Sequence, residues 1–186
     1  MKILFITAEA EELEACRRAC EDAGVNADMV WSGMGAGPTV SKLDEMLSGA
    51  DEYDFVIDAG IAGSFVGAPS GSAFNVVEER NGETPEQVFT GARVLFPWLP
   101  SAKGLTFQTM TNDPVETARR TSLGADLESM EGAAFFETCI RHGVKNFAEL
   151  RTISNPVGED DRTKWDINAG LEAIHTNCLE FLKNLK

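Results

Sequence analysis

Short apolar runs that alternate with helix-patterned stretches constrain this chain more than any other feature of its sequence. Ile3-Leu4-Phe5-Ile6 sits in a strand-like run over residues 2–7, and a helical composition follows from Glu11 to Ala23, stopped by Gly24. Val25 to Trp31 predicts a second strand. It runs into the glycine turn Gly33-Met34-Gly35-Ala36-Gly37-Pro38 and a helix from Thr39 to Leu47. Asp54 to Ala59 reads as a buried strand that breaks at Gly60-Ile61-Ala62-Gly63. Further strands are expected at Asn75-Val76-Val77, Leu105 to Met110 and Ala148 to Ser154, the last broken by Asn155-Pro156. Helices are expected over Met130 to His142 and Asp166 to Leu185, and Gly82 to Pro100 reads as loop. This alternation predicts an α/β fold with a mixed, mostly parallel central sheet between two helical layers. With 186 residues and no linker-like tract, one domain spanning 1–186 is expected.

Charge narrows the partners. Sixteen basic against 30 acidic residues leave a formal charge of −14, a field that repels polyanions, so nucleic acid is excluded as a partner. No apolar stretch approaches the ~18 residues a membrane helix requires, and the first apolar run is too short for a secretion signal. Cys16, Cys20, Cys139 and Cys178 show no CxxC spacing and no adjacent histidine, so they read as buried, reduced side chains in a cytoplasmic protein that binds no metal.

In open α/β sheets, ligands bind beyond the carboxyl ends of the parallel strands. That rule selects four segments: the acidic stretch Glu9 to Glu14, the glycine turn Gly33 to Gly37, the turn Gly60 to Gly63, and Ser154-Asn155. The glycine turn lacks the pattern of a dinucleotide fingerprint or a P-loop. It serves either an anion at a helix start or simply a tight turn. Glu128-Ser129-Met130-Glu131-Gly132-Ala133-Ala134 places two carboxylates three residues apart at a helix start, where they either cap the helix or carry chemistry.

Taken together, these segments resemble the purine nucleoside phosphorylase and nucleosidase superfamily. Met1-Lys2-Ile3 followed by Glu11-Glu12 is similar to the amino terminus of methylthioadenosine/S-adenosylhomocysteine nucleosidases. Gly33-Met34-Gly35 and Ala59-Gly60-Ile61-Ala62-Gly63 resemble their glycine turns. Met130-Glu131-Gly132-Ala133-Ala134 resembles their ribose-binding helix start, and Arg151-Thr152-Ile153-Ser154-Asn155 their base-binding strand end, with Asn155 where an aspartate is usual. Within the superfamily, Glu128 to Phe136, Trp98-Leu99-Pro100, Gly104-Leu105-Thr106 and Trp165 are similar to futalosine hydrolases. The stretch 64–97 resembles nothing specific and is shorter than in the nucleosidases.

The resemblance implies cofactor-free hydrolysis of the bond between ribose and a purine, futalosine above all. Cleavage builds positive charge on the sugar and negative charge on the departing base. Glu131 would accept from the ribose hydroxyls and Met130 would pack on the sugar. Glu12 would polarise the attacking water, with Glu9, Glu11 and Glu14 as alternatives, and Arg151 would position that water or pair with a carboxylate. Gly33, Gly35, Gly60, Ile61, Ser129 and Ser154 would line the substrate, and Phe107 would stack on the base. Asn155 would donate to a 6-oxopurine such as hypoxanthine, where an aspartate suits adenine; alternatively it only turns the chain before Pro156. Phosphorolysis is disfavoured because no Lys or Arg lies between Ala19 and Ser41 or between Lys42 and Arg80. A methylthioadenosine/S-adenosylhomocysteine nucleosidase and a non-catalytic nucleoside-binding homologue remain alternatives. Superfamily membership also implies a homodimer or larger homo-oligomer.

Overall fold

The computed structural model of the chain describes residues 1–49, 52–159 and 161–185. It begins with strand β1 (Ile3–Thr7), helix α1 (Ala10–Ala23), strand β2 (Asp28–Trp31) and helix α2 (Ala36–Leu47). Strands β3 (Phe55–Ser64), β4 (Ala73–Asn81), β5 (Val88–Thr90) and β6 (Ser101–Thr106) follow. Helix α3 (Pro114–Thr121), strand β7 (Leu127–Ser129), helix α4 (Gly132–Arg141), strand β8 (Phe147–Pro156) and helix α5 (Ile167–Asn184) complete the order. The result is a mixed α/β fold with one mixed sheet. β1 pairs in parallel with β2 and β3, β3 with β8, and β6 with β4 and β7; β3–β7, β4–β5 and β4–β8 are antiparallel.

The period of two in β1 explains why helices cover both faces. Ile3 and Phe5 point into a cluster with Ala15 and Cys16 of α1 and with Ile174, Cys178 and Phe181 of α5. Leu4 and Ile6 point the other way, onto Leu43 of α2 and Phe135, Phe136 and Cys139 of α4. Each such fully buried Leu, Ile or Phe contributes roughly 1.5–3 kcal/mol of transfer free energy. All four cysteines are buried and reduced. Among the described residues no helix is long and apolar enough to cross a membrane.

Three expectations about the strands need correction, and all three bear on the site. Gly60 to Gly63 is not a turn: β3 continues to Ser64, because this stretch is paired with β8 on one side and β7 at its end. Asn155-Pro156 likewise stays within β8. The strand expected at Leu105 to Met110 ends at Thr106, and β6 starts earlier, at Ser101. Within the stretch read as loop, Val88–Thr90 pairs with β4 as an edge strand. Two elements had no expectation at all, β7 and α3. The latter is started by an Asp113 side chain that accepts from Val115 N–H, with Pro114 in the first turn.

Candidate active site

A cavity of about 420 Å³ opens at the carboxyl ends of β1, β3, β6, β7 and β8. Glu12, Ile61, Ser129, Met130, Glu131, Ser154 and Asn155 all line it. Each is placed there by a local cause that can be traced.

Glu12 lies in the first turn of α1. Its Oε2 accepts from the N–H groups of Glu9 (2.9 Å) and Ala8 (3.2 Å), so it completes the helix start from the inside. Its Oε1 accepts from the N–H of Ile61 (2.8 Å). The side chain is only 3% exposed, and this burial pushes its pKa up to about 7; the Ile61 N–H and the Arg151 guanidinium pull in the opposite direction. The neighbouring acids are placed differently. Glu11 is exposed, Glu14 pairs with Arg17, and Glu9 reaches only the cavity edge.

Glu131 precedes α4, yet its side chain does not cap that helix. The Ser129 and Thr106 hydroxyls take over, accepting from Gly132 N–H (3.2 Å) and Ala133 N–H (2.8 Å). Glu131 Oε1 instead accepts from the N–H of Gly35 (2.8 Å), tying the glycine turn to the cavity. Gly35 has φ 94°, a conformation that side-chain-bearing residues rarely adopt. The other acid of the motif, Glu128, is neutralised by Arg120 at 3.0 Å.

Ser154 and Asn155 both face the cavity because the β3–β8 register shifts between Ala62 and Gly63: Ile153 pairs with Ala62 and Asn155 with Gly63, leaving Ser154 as the extra residue of a bulge. The Ser154 hydroxyl donates to Asn155 Oδ1 (2.7 Å), and Asn155 Nδ2 donates to the Pro156 carbonyl (2.9 Å). A carbonyl can only accept, so the amide nitrogen must lie on that side. Its oxygen already accepts from Ser154, and one N–H of the amide is left to donate.

Five expected site residues do not line the cavity: Arg151, Phe107, Gly33, Gly35 and Gly60. Arg151 is buried behind it, donating from Nε to Glu149 Oε1 (2.6 Å) and from Nη2 to Asp58 Oδ2 (2.5 Å). It therefore pairs with carboxylates and does not reach a water in the cavity. Phe107 is also buried, because β6 ends one residue earlier. Thr106 turns toward Glu79, and Phe107 packs against Gly82 beneath the Arg120 guanidinium, 3.8 Å from the ring centroid. The aromatic residue in the cavity wall is Trp165. Its Nε1–H donates to the Glu159 carbonyl (2.8 Å), and the Arg162 guanidinium lies 5.2 Å from its ring centroid. Gly33, Gly35 and Gly60 sit behind the wall and shape it through their backbone.

Sequence reasoning missed Gln108 to Thr111, which form one wall, and Arg162. Nothing in the local pattern marks the former, since the segment read as strand. Of the lining residues, Arg162 alone is a cation, against Glu9, Glu12, Glu128, Glu131 and Glu159. A phosphate dianion would meet repulsion here, and the Gly35 N–H is already taken by Glu131.

No model of a known protein family matches the sequence. Its relatives do. The futalosine hydrolase of Thermus thermophilus is 34% identical, in a match covering 62% of this chain and 63% of that protein. That of Streptomyces coelicolor is 29% identical, covering 94% of this chain and 92% of the relative. In structure, the methylthioadenosine/S-adenosylhomocysteine nucleosidase of Neisseria meningitidis, solved with methylthio-immucillin-A, superposes with TM-score 0.84 at 16% identity, covering 98% of this chain and 99% of the other. The futalosine hydrolase of Helicobacter pylori superposes with TM-score 0.81 at 17% identity, covering 100% and 98%. The chain therefore has the fold of these nucleosidase structures. Its sequence is similar to those of futalosine hydrolases. The match with the Thermus protein spans a little under two thirds of that relative's length.

Proposed function

We propose that this protein hydrolyses the N-glycosidic bond of a purine nucleoside, and that its substrate is futalosine, released as hypoxanthine and the dehypoxanthinyl product of menaquinone biosynthesis. The observation that carries this reading is that Glu12, Glu131 and Asn155 line one cavity of a size that suits a nucleoside. Glu131, its Oε2 held by the N–H of Met130 (3.2 Å), accepts from the ribose hydroxyls while positive charge develops on the sugar. Met130 packs against the sugar. Glu12, with a pKa near 7, takes a proton from the attacking water in its ionised form. Asn155 donates its free N–H to O6 or N7 of the base. That donor suits a 6-oxopurine, whereas the 6-amino group of adenine needs an acceptor, and the Asn155 oxygen is engaged by Ser154.

We read the chain as one three-layer α/β/α domain that acts in the cytoplasm as a homodimer or larger homo-oligomer, without cofactor or metal. Incubation with futalosine, inosine and methylthioadenosine, with and without phosphate, tests the function by the base released. Hypoxanthine from futalosine without phosphate is the expected result. Adenine as the main product would assign a methylthioadenosine-type nucleosidase, a requirement for phosphate a phosphorylase, and binding without turnover a non-catalytic homologue.

A further inference from the structure

Behind the cavity a second set of charged side chains is sealed from water. Asp58 of β3, Glu79 of β4 and Glu149 and Arg151 of β8 are all buried, and the guanidinium is paired with two of the three carboxyl groups, Asp58 and Glu149. Glu79 Oε2 accepts from the Thr106 hydroxyl (2.8 Å), the same hydroxyl that caps α4. Glu79 Oε1 and Glu149 Oε2, however, receive no hydrogen bond from an N–H or O–H among the described residues. The two carboxyl groups lie within hydrogen-bonding reach of each other. Space for them is kept by two glycines. A Cβ on Gly132 would lie 2.3 Å from Glu79 Oε1 and 2.7 Å from Glu149 Oε1, and one on Gly104 would lie 1.8 Å from Glu79 Oε1.

Two ionised carboxylates cannot touch in such a place without a donor between them. A single proton resolves the conflict, making one group the O–H donor and the other the acceptor. We propose that Glu79 and Glu149 share one proton and act as a positioning pair, presenting a single negative charge to Arg151 and so tuning the ionisation of Glu12 across Gly60. The route is short. Arg151 Nη1 presses on Gly60, where a Cβ would lie 2.1 Å from it and 3.2 Å from Glu12 Oε1. Glu12 is faced by Arg151 from β8, by Glu131 from the start of α4, by the Glu9 N–H at its own helix start and by Cys16 one turn along α1. Asp58 and Glu149 act on it from behind Arg151. Burial pushes Asp58, Glu79 and Glu149 all up in pKa, in keeping with a retained proton.

The catalytic consequence rests on reading Glu12 as the group that orients water; the proton sharing does not. The test is therefore a ¹³C NMR titration of the Glu12 carboxyl in the full chain, assigned through Glu12→Gln, in the parent protein and in Glu79→Gln and Glu149→Gln. Glu79→Gln replaces the shared O–H by an N–H and leaves the charge on Glu149, so the Glu12 midpoint stays in place. Glu149→Gln moves the charge to Glu79, farther from Arg151, and the midpoint falls by about half a pH unit or more. Equal falls in both variants would mean two ionised groups and overturn the sharing. No fall in either would overturn the tuning.

Should Glu149→Gln not fold, Glu79→Gln alone decides through thermal midpoints between pH 6 and 9. A proton held above its ordinary pKa stabilises the fold at low pH and ceases to do so as pH rises through the folded value. The parent then loses stability over that range and Glu79→Gln loses less; parallel curves would overturn the proposal. Neither experiment uses a substrate, so a failure to find any hydrolysed nucleoside is distinguishable from a failure here.

Discussion

The two glycine-rich segments perform the same service for opposite reasons. The Gly33–Gly37 turn gives the Gly35 N–H to Glu131 Oε1, and the Gly60–Gly63 stretch of β3 gives the Ile61 N–H to Glu12 Oε1, each at 2.8 Å. In the first segment glycine is required by backbone angle, since Gly35 has φ 94° and open space where a side chain would begin, the nearest atom being 3.8 Å away. In the second the backbone is ordinary strand and glycine is required by room, because the Arg151 guanidinium occupies the position of the missing Cβ. A glycine pattern thus marks where backbone meets functional side chains without saying which constraint applies. Mutation separates them.

The largest effect is expected where the second segment meets its carboxylate. Glu12→Gln removes the only form of the side chain that can accept a proton, and its amide nitrogen would oppose the Ala8 and Glu9 N–H groups. Steady-state kinetics with the nucleoside substrate should show kcat lower by roughly 10²- to 10⁴-fold. In the parent, kcat/KM should rise with pH and level off above about 7, where burial has placed the Glu12 pKa; in Glu12→Gln that limb should vanish. The same shift acts on stability with the opposite sign. A carboxyl raised from 4.5 to about 7 favours the fold fully below pH 4.5, and this contribution is lost as pH climbs to 7. A wild-type rate that is flat from pH 5 to 8 would remove Glu12 from the mechanism.

Next comes Gly60→Ala. The new methyl must displace Arg151 from Asp58 and Glu149, leaving buried carboxylates without their cation, at a cost of about 3–5 kcal/mol in urea unfolding. Gly35→Ala meets only Gln108 Oε1 at an ordinary contact distance of 3.8 Å and costs its backbone strain, about 2 kcal/mol. If the two variants cost the same, the distinction between room and angle fails.

The contrast also shows what was legible in the sequence. The β1–α1 start could be read because apolar period and the Gly24 stop agree, and the cavity location followed from strand ends alone. Gly60 to Gly63 was misread as a turn because its strand character comes from pairing with β7 and β8, which no local pattern records. For Arg151 the sequence leaves water and a carboxylate both open for a related reason: Asp58 and Glu149 reach it only after β3 and β8 are side by side. Phe107 was assigned to the base because Leu105 to Met110 looked like one strand, and a single residue's difference in where β6 ends reverses its face. Helix α3, by contrast, carried a readable signal in Asp113-Pro114, a capping side chain followed by proline.

The smallest effect expected concerns Asn155, which the proposed function sets against the base. Its oxygen is held by Ser154 and one amide hydrogen by Pro156, so a single N–H is left to donate. Asn155→Asp keeps the shape and the Ser154 hydrogen bond but exchanges that donor for an acceptor, unless the acid is protonated. A 6-amino purine then finds a partner and a 6-oxo purine meets two acceptors face to face. The ratio of kcat/KM for adenine over hypoxanthine nucleosides should rise about tenfold or more, equivalent to roughly 1.4 kcal/mol. Competition between methylthioadenosine and futalosine in one reaction, read by the bases released, measures the ratio directly. An unchanged ratio would mean that Asn155 merely shapes the β8 bulge, and base selection would pass to the opposite wall, where Gln108 is the nearest amide with both a donor and an acceptor to offer.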